Sequence, residues 1–284
     1  MAGNRQAIQS RIRSVKSTKK ITKAMQMISN SKLAKQRKLM EANRAYAEDL
    51  QRIVGEIMRS GQQLESGFLG ERRSEAAYTV FFCSDMGLCG GYNANVTKYA
   101  VENLRREDPI LVVGTHACSQ LRREGFALVN DEPISIDSIN ESALNEYLDE
   151  AMDLYLADKV GKVQVCYTRF VNTLTFEPAI NVLLPYDDAI APAEDGAAGF
   201  RELLFDPSPD DVLDQLIVHM VHNVAYSNSL ETRTAEQGSR RLAMDTATNN
   251  AEELEDKLVL QFNQARQAAI TQELTEIVGT ANAL

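Results

Sequence analysis

The sequence predicts an α/β protein in which a long antiparallel coiled coil of N- and C-terminal helices is joined to a central domain with a mostly parallel sheet. No proline precedes Pro109 or follows Pro209, so residues that break helices are confined to the middle of the chain. Apolar residues recur at helical spacing in both terminal thirds, whereas strand-like and helical segments alternate between them. We expect an N-terminal coiled-coil helix over 1–60, a central domain over 75–190 and a C-terminal coiled-coil helix over 209–284.

The N-terminal segment carries apolar residues mostly three, four or seven positions apart, with slips between Val15 and Leu39. They are Ile8, Ile12, Val15, Met25, Ile28, Leu39, Leu50, Ile53 and Ile57. Gly61, Gly67 and Gly70 follow, and glycines commonly end helices. The pattern therefore predicts one continuous helix that ends near residue 60.

The C-terminal third has two apolar stripes of the same kind. The first consists of Leu213, Leu216, Met220 and Val224, and the second of Ala251, Leu254, Leu258, Ala265 and Ile277. A helix of about 50 residues is roughly 75 Å long, which exceeds the width of a compact domain of this size. Two such helices bury their stripes by pairing as an antiparallel coiled coil. We expect each Leu or Ile along the shared interface to contribute about 1.5–3 kcal/mol by burial, so that about a dozen such positions hold the pair of helices straight.

Strand-like and helical segments alternate in the middle third. Strands are expected at 78–84, 109–114, 126–130, 162–170 and 181–185, with helices at 95–106, 116–123 and 139–158 between the first four. This alternation predicts a mostly parallel sheet with helices on its faces. The acidic stretch 186–211, which contains proline and glycine, is expected to be a loop.

Composition argues against several classes of protein. No apolar run approaches the length of about 18 residues that a membrane helix needs, and the N-terminus lacks the apolar core of a secretory signal. A mitochondrial transit peptide is an alternative for residues 1–20, although the basic pattern continues to Lys38. The four cysteines form no C-x-x-C pair, which fits a reducing, cytoplasmic setting.

Charge is distributed very unevenly along the chain. The first forty residues contain eleven Lys or Arg and no Asp or Glu, whereas the other 244 contain 19 basic and 40 acidic residues. Such a basic arm indicates an acidic partner. Nucleic acid is one alternative, but the arm lacks aromatic residues for base stacking. Ile21, Met25, Met27 and Ile28 among the charges indicate contact with protein, and a merely solvated face is the third alternative.

Three groups of residues are candidates for chemistry. Residues 84–93 follow a strand and precede a helix, as a phosphate-binding loop does, but their G-x-x-G-G pattern equally fits a tight strand-to-helix turn. Cys89 is either a nucleophile near a helix N-terminus or a packed small side chain. His219 and His222, three residues apart on a helix, are candidate metal ligands, although no third ligand lies at a suitable spacing. None of the three makes a convincing active site.

Four segments closely resemble the family of γ subunits of bacterial F-type ATP synthases. They are ITKAMQMISNSKL (21–33), SDMGLCGGYN (84–93), RRLAMDTATNNAEEL (240–254) and NQARQAAITQELTEIVGTANAL (263–284). The likeness runs from end to end, in the same order and at nearly the expected length. It implies that the central domain is a Rossmann-like globular foot.

The resemblance implies a non-catalytic central rotor stalk in a proton-translocating rotary ATP synthase. In this family the terminal helices fill a hexameric ring of α and β subunits, while the foot binds the ε subunit and rests on the c-ring. Proton flow turns the c-ring and the stalk, which drives each catalytic β subunit through its conformational cycle of ATP synthesis or hydrolysis. The resemblance implies no catalytic residue, cofactor or metal in this chain, no nucleic-acid partner and no direct membrane insertion. It implies a peripheral position on the cytoplasmic face of the bacterial cell membrane.

The resemblance also implies contacts with the α/β ring on both terminal helices. Met25 matches the methionine that lies near the acidic lever of β, with Lys23 beside it and Lys32 in the same basic arm. Arg240 matches an arginine that hydrogen-bonds across the shaft or to β.

The last part of the chain carries the remaining implied contacts. Arg266 and Gln267 match a pair that meets a loop of β, and Thr271 and Glu273 match its polar support. The final apolar segment to Leu284 corresponds to the tip that the ring holds. Thiol-regulated chloroplast relatives carry an inserted segment with two cysteines, whereas no cysteine follows Cys166 here. That redox switch is therefore not expected.

Two other functions are compatible with parts of the sequence. The basic arm and the α/β domain fit a nucleic-acid binder with a regulatory domain, and the glycine turn fits a Rossmann-type enzyme. A rotor stalk is distinguished from both by copurification with α, β and ε subunits, and by weak binding to DNA at physiological salt.

Overall fold

A computed structural model of the chain describes residues 2–58, 66–70, 72–186, 205–206 and 208–281. Its elements are α1 (Ala2–Met58), β1 (Ala77–Phe82), α2 (Tyr92–Asn103), β2 (Pro109–Val113), α3 (Thr115–Arg123), β3 (Ala127–Leu128), α4 (Glu141–Leu156), β4 (Lys162–Phe170), β5 (Phe176–Leu184) and α5 (Pro209–Ala281). The predicted loop 186–211 ends in helix, because α5 begins at Pro209. Gly61, most of that loop and the tip at Leu284 lie outside the described residues.

The five strands form one sheet in the order β3-β2-β1-β4-β5. β1 pairs in parallel with β2 and β4, β2 pairs in parallel with β3, and β5 is antiparallel to β4. The predicted mostly parallel sheet is therefore confirmed. The strand expected at 181–185 begins earlier, at Phe176. Pro178 is tolerated within it because β5 is an edge strand, where a missing N–H breaks no interior ladder.

The described chain falls into two compact units. One consists of the described parts of 1–31 and 240–284 (the helical unit), and the other spans residues 32–239 (the α/β unit). Helices α1 and α5 each contribute residues to both units.

Helix α5 is part of the main apolar core of the α/β unit. One face of this helix packs with strand residues and with α4 in a single cluster of buried side chains. The α5 residues of that cluster are Leu213, Ile217, Met220, Val221, Val224 and Ala225. A second cluster joins α2 and α3 to strand residues such as Phe81 and Val112. The sheet therefore buries residues in two separate apolar clusters, as expected for strands flanked by helices on both faces.

The helical unit pairs α1 with α5 in antiparallel fashion. Lys19 Nζ lies 3.0 Å from Glu252 Oε1, Thr22 Oγ1 lies 2.8 Å from Thr248 Oγ1, and Gln26 Nε2 lies 2.5 Å from Asp245 Oδ1. Partners on α5 descend in number as those on α1 ascend, so the two helices run in opposite directions. The predicted antiparallel pairing is confirmed.

The side chains buried between these helices differ from those expected. Small and polar residues such as Thr22, Ser29, Thr248 and Ala251 are buried. Among the predicted stripe residues of this unit, Ile28, Leu254 and Ile277 are exposed. Other stripe residues do face the partner helix, since Ala251 and Leu258 are buried and Ile8, Ile12 and Val15 are partly buried. Apolar stripe residues and small polar residues therefore share this interface. Spacing alone did not distinguish the face turned toward the partner helix from the face turned away from it.

An ionic cluster accompanies this interface. Lys19 Nζ also lies 3.3 Å from Glu255 Oε2, and Lys16 Nζ lies 3.5 Å from Glu255 Oε1. The hydrogen bond to Glu252, supported by Glu255, raises the pKa of Lys19. Burial acts to raise the pKa of Glu255, but hydrogen bonds and charge from Lys19 and Lys16 outweigh it, so this pKa is lowered.

We expect Gly238→Ala to destabilise the protein, although alanine in a helix interior is ordinarily about 1 kcal/mol better than glycine. A Cβ at position 238 would lie 2.6 Å from Cζ and 2.7 Å from Cε1 of Phe176. Overpacking costs about 1–3 kcal/mol, so after the propensity gain the net loss is up to about 2 kcal/mol, which lowers the thermal midpoint by up to about 5 °C. Gly91→Ala is the control, because its Cβ meets only the Asn95 side chain, at 3.5 Å or more. A Gly238→Ala midpoint at or above that of the wild type would contradict this account.

We expect Glu255→Gln to lower the thermal midpoint at low salt in a pH-dependent manner. The lowered pKa of Glu255 means that its stabilisation is lost as pH falls through that pKa. The raised pKa of Lys19 means that the pair is also lost as pH rises through the lysine pKa. The difference from wild type is therefore largest between about pH 5 and pH 9. It should shrink in concentrated salt. The exposed Glu253→Gln is the control, and a difference insensitive to both pH and salt would disprove the ionic origin.

Candidate functional site

The glycine turn, residues 84–91, connects β1 to α2. Gly90 has a φ of 61° and Leu88 a φ of 62°, so the backbone turns through the left-handed region, which glycine adopts at no steric cost. Ser84 N donates to Asn93 Oδ1 at 3.2 Å, and Ser84 Oγ donates to Met86 O at 2.7 Å. These contacts hold a tight strand-to-helix turn, which was one of the two interpretations of its sequence.

Cys89 lies inside this turn as a packed side chain. It is 1% exposed, and its Sγ lies 3.4 Å from Asn93 Nδ2. The other three cysteines are likewise buried, and the four form no disulfide with one another. Burial raises the pKa of the Cys83 and Cys166 thiols to about 12 in each case. Those two thiols therefore stay protonated at neutral pH and are poor nucleophiles.

The carboxylate of Asp85 is held at the N-terminus of α3. Its Oδ1 accepts from Thr115 N and Ile136 N, each at 3.1 Å. Its Oδ2 accepts from Ser135 Oγ at 2.6 Å and from Asp137 N at 3.2 Å. Helix N-termini favour negative charge, and here the chain supplies that charge itself.

His219 and His222 lie on α5 in different surroundings. His219 is exposed, whereas His222 Nε2 lies 2.8 Å from Asp149 Oδ1 of α4. Among the described residues, no group of three or more His, Cys, Asp or Glu side chains is placed to hold a metal ion. His222 instead joins two helices that pack on the sheet.

The basic arm of α1 presents a mixed surface of cations and apolar side chains. Lys23 and Lys32 are exposed, and Met25 is partly buried. Ile21 and Met27 nearby are 58% and 65% exposed. Large apolar side chains that stay exposed between lysines indicate a surface that another protein covers.

The resemblance-based contacts on α5 occupy two kinds of environment. Arg240 is buried, at 8% exposure. Arg266, Gln267, Thr271 and Glu273 are all exposed in the last part of the helix, where Thr271 Oγ1 donates to Gln267 O at 3.0 Å. Gln267 and Thr271 are therefore neighbours on one helix. Arg240 differs from these exposed residues because its side chain is buried.

Sequence reasoning missed several residues that organise these regions. Asp85 had a detectable signal, because it is a carboxylate directly after a buried strand. Arg233 had none, yet its Nη2 donates to the backbone oxygens of Ile136 and Ile139, the latter at 3.0 Å. The Thr22–Thr248 pair was also missed, since threonine at helical spacing is not distinctive.

The chain is similar to ATP synthase gamma chains along its whole length. The gamma chain of Symbiobacterium thermophilum is 38% identical over 290 residues, which cover 100% of this chain and 99% of that protein. The gamma chain of Heliobacterium modesticaldum is 38% identical over 284 residues, with 98% of each chain covered. That of Mycoplasma capricolum is 35% identical, again with 98% of each covered.

Comparisons with solved structures and with family models also find similarity to ATP synthase proteins. A chain of the OSCP/F1/c-ring structure of Euglena gracilis mitochondrial ATP synthase matches 100% of this chain and 95% of its own length, with a TM-score of 0.67 and 19% identity. A chain of the rotor of the same synthase gives a TM-score of 0.65 at 20% identity, covering 95% of this chain and 100% of that one. At 19–20% identity, these two structural matches establish only that the fold is shared. The family model described as ATP synthase matches residues 4–284. From the full-length sequence match and the shared fold together, we conclude that the chain belongs to the ATP synthase gamma-chain family.

Proposed function

We propose that this chain is the central rotor stalk of a rotary ATP synthase, coupling proton flow through the c-ring to conformational cycling of catalytic β subunits. Its proposed partners are the hexameric ring of α and β subunits, the ε subunit and the c-ring. Full-length similarity to bacterial gamma chains supports this role. ATP synthesis and hydrolysis then take place on the partner subunits, and this chain acts as a non-catalytic, cofactor-free subunit.

The observation that carries this proposal is the exposed apolar surface of the helical unit. Its large exposed side chains are Ile21, Met27, Ile28, Leu254, Val259, Leu260, Ile270, Leu274, Ile277 and Val278. So many large exposed apolar side chains on two helices indicate a surface that another protein covers. The cations interleaved on α1 make an acidic protein surface the best fit.

Partner contacts on α1 follow from this mixed surface. Exposed Lys23 and Lys32 attract the acidic lever of β by charge, while Met25 supplies an apolar contact between them. Surface ion pairs contribute only about 0–1 kcal/mol each. Contacts of this strength exchange readily, and a rotating stalk requires exchange, since a strong latch would trap one angle.

Contacts on α5 divide by environment. Exposed Arg266 and Gln267 are placed to meet a loop of β, and Thr271 and Glu273 beside them provide polar support. Buried Arg240 is suited to hold the stalk itself together or to meet β from a recessed position. These assignments rest on the family resemblance of each residue together with its exposure.

The parts of the chain have separate proposed tasks. The coiled-coil segments expected over 1–60 and 209–284 are the proposed shaft, and the domain expected over 75–190 is the proposed foot that binds ε and the c-ring. None of the helices in the described ranges combines the length and apolar character needed to cross a bilayer. We place the chain peripherally on the cytoplasmic face of a bacterial membrane, through its partners.

Nucleic acid fits the basic arm less well. Lys16 and Lys19, two of its cations, are already within 3.5 Å of carboxylates on α5. Those carboxylates would also repel phosphates. Aromatic side chains are not interleaved with the cations of residues 1–40, although base stacking would need them.

We expect sustained ATP hydrolysis by isolated α and β subunits to rise markedly when this chain is added. A rotor drives the catalytic sites of the β subunits through their conformational states one after another. In a ring without the rotor, the sites do not change state in this sequence, so hydrolysis is slower. The measurement is the steady-state release of phosphate with and without the full chain. Bovine serum albumin at equal concentration is the control for non-specific effects. No stimulation by correctly folded chain would refute the rotor role.

We expect Met25→Lys to impair coupling more than hydrolysis. A lysine there adds an ion pair with the acidic lever of β, contributing up to about 1 kcal/mol, which slows each exchange of partner about fivefold. The measurement is ATP-driven proton pumping relative to ATP hydrolysis in membrane vesicles. Asn30→Lys is the matched control, because Asn30 is exposed on the same helix and belongs neither to the proposed contacts nor to the exposed apolar surface. Equal effects of the two variants would argue against a special role of Met25.

A further inference from the structure

The topology of the sheet defines a crevice that in other α/β proteins binds ligands. In the order β3-β2-β1-β4-β5, the chain adds strands to one side of β1 and then crosses to its other side. Ligands of such sheets bind beyond the carboxyl ends of the strands, at the point where the strand order reverses. Here that point lies between the carboxyl ends of β1 and β4.

Residues of α5 lie at the β4 side of this crevice. The last β1–β4 pair is Phe81 with Cys166. Two residues further along β4, the buried Thr168 donates its backbone N–H to Thr232 Oγ1 of α5 at 3.4 Å. A helix side chain thus bonds β4 just beyond the place where its pairing with β1 stops.

The same segment of α5 contacts the β1 side. Tyr92 Oη, at the start of α2, donates to Thr232 O at 3.3 Å. Ser239 Oγ donates to Cys89 O in the glycine turn at 2.7 Å. Burial raises the pKa of Tyr92 far above its ordinary value, so this hydroxyl keeps its proton and remains a donor.

The loop that follows β3 completes the contacts. The guanidinium of Arg233 donates to the backbone oxygens of Ile136 and Ile139. Apolar contacts accompany these bonds, since Leu230 and Ala235 of α5 belong to one buried cluster with Cys89, Tyr92 and Phe170. Gly238 lies against the ring of Phe176, where a Cβ would not fit. One helical segment therefore contacts the residues that follow or adjoin β1, β3 and β4.

We propose that residues 230–239 of α5 occupy this crevice as a permanent internal ligand, and that this docking is the joint that transmits torque between the sheet and α5. The hydrogen bonds of Thr232, Arg233 and Ser239 have fixed partners. They therefore resist sliding and rolling of the helix, which apolar contacts alone would allow. The docking itself does not depend on the proposed function, whereas its part in torque transmission rests on the rotor role.

The first test measures the docking in the full chain by hydrogen exchange. The variants are Thr232→Val, Ser239→Ala, and a triple variant that adds Arg233→Met to both. We expect the peptides covering 162–170 and 84–92 to exchange at least about fivefold faster, since one net hydrogen bond corresponds to about that factor. Controls are Thr246→Val, exposed on the same helix, and Arg123→Met, whose guanidinium bonds Ser119 O within α3.

The second test measures torsional stiffness in the assembled complex. A probe is attached to the α/β unit while the ring is immobilised and rotation is blocked, and stiffness is obtained from the angular fluctuations of the probe. We expect the triple variant to lose stiffness relative to wild type, with unloaded ATP hydrolysis preserved. Both control variants should keep the wild-type stiffness.

The two tests distinguish three claims, namely the docking, its part in torque transmission and the proposed function. Unchanged exchange in the triple variant would overturn the docking. Faster exchange with unchanged stiffness would overturn the torque joint alone. If the triple variant does not fold, Thr232→Val and Ser239→Ala each provide the same pair of readouts. Failure of the wild-type chain to support rotation would refute the proposed function, and the exchange result would stand independently of it.

Discussion

Burial of one face of α5 against the sheet and α4 is the interaction on which the α/β unit depends. Leu213, Ile217 and Ala225 on this helix are fully buried in the same cluster as strand residues of the sheet. A fully buried Leu or Ile contributes about 1.5–3 kcal/mol, so these contacts are a major part of that core. Because α5 is continuous from Pro209 to Ala281, the helix that completes this core also supplies one partner of the helical unit. The same helix therefore completes the core of the α/β unit and pairs with α1 in the helical unit.

Much of this architecture could be predicted from local patterns. The strand 162–170 and the helix boundaries near Arg123 match because β-branched runs and helix breakers act over a few residues. The edge strands were less predictable. β3 contains only Ala127 and Leu128, and β5 extends back to Phe176 through a proline. How far an edge strand extends depends on its single neighbour, which a local pattern does not contain.

The candidate site was predictable to a smaller degree. The identities of Lys23, Met25 and Arg266 as contacts came from family resemblance, since nothing in their spacing distinguishes them from other helical residues. The docking of Ser239 on Cys89 joins residues 150 positions apart. No local pattern encodes such a pair, because each partner satisfies ordinary helix or turn preferences by itself. Sequence reasoning did recognise a tight turn at 84–93, but it had no means of finding the helix that packs on it.

The helical unit differs in part from the usual distribution of side chains in a pair of helices. A self-sufficient coiled coil buries Leu and Ile and exposes polar residues. Here Met244, Ala251 and Leu258 are buried in the usual way. However, Thr22, Ser29 and Thr248 are buried beside them, and Ile21, Leu260 and Leu274 are exposed. The Thr22–Thr248 bond and the Lys19 ion pairs specify which residues meet, but bonds of this kind add little net stability. The polar contacts therefore fix the register of the pair, and few large apolar side chains are buried between its helices. Its apolar surface becomes stabilising only when another protein covers it, so the order of this unit and its assembly with partners are thermodynamically linked.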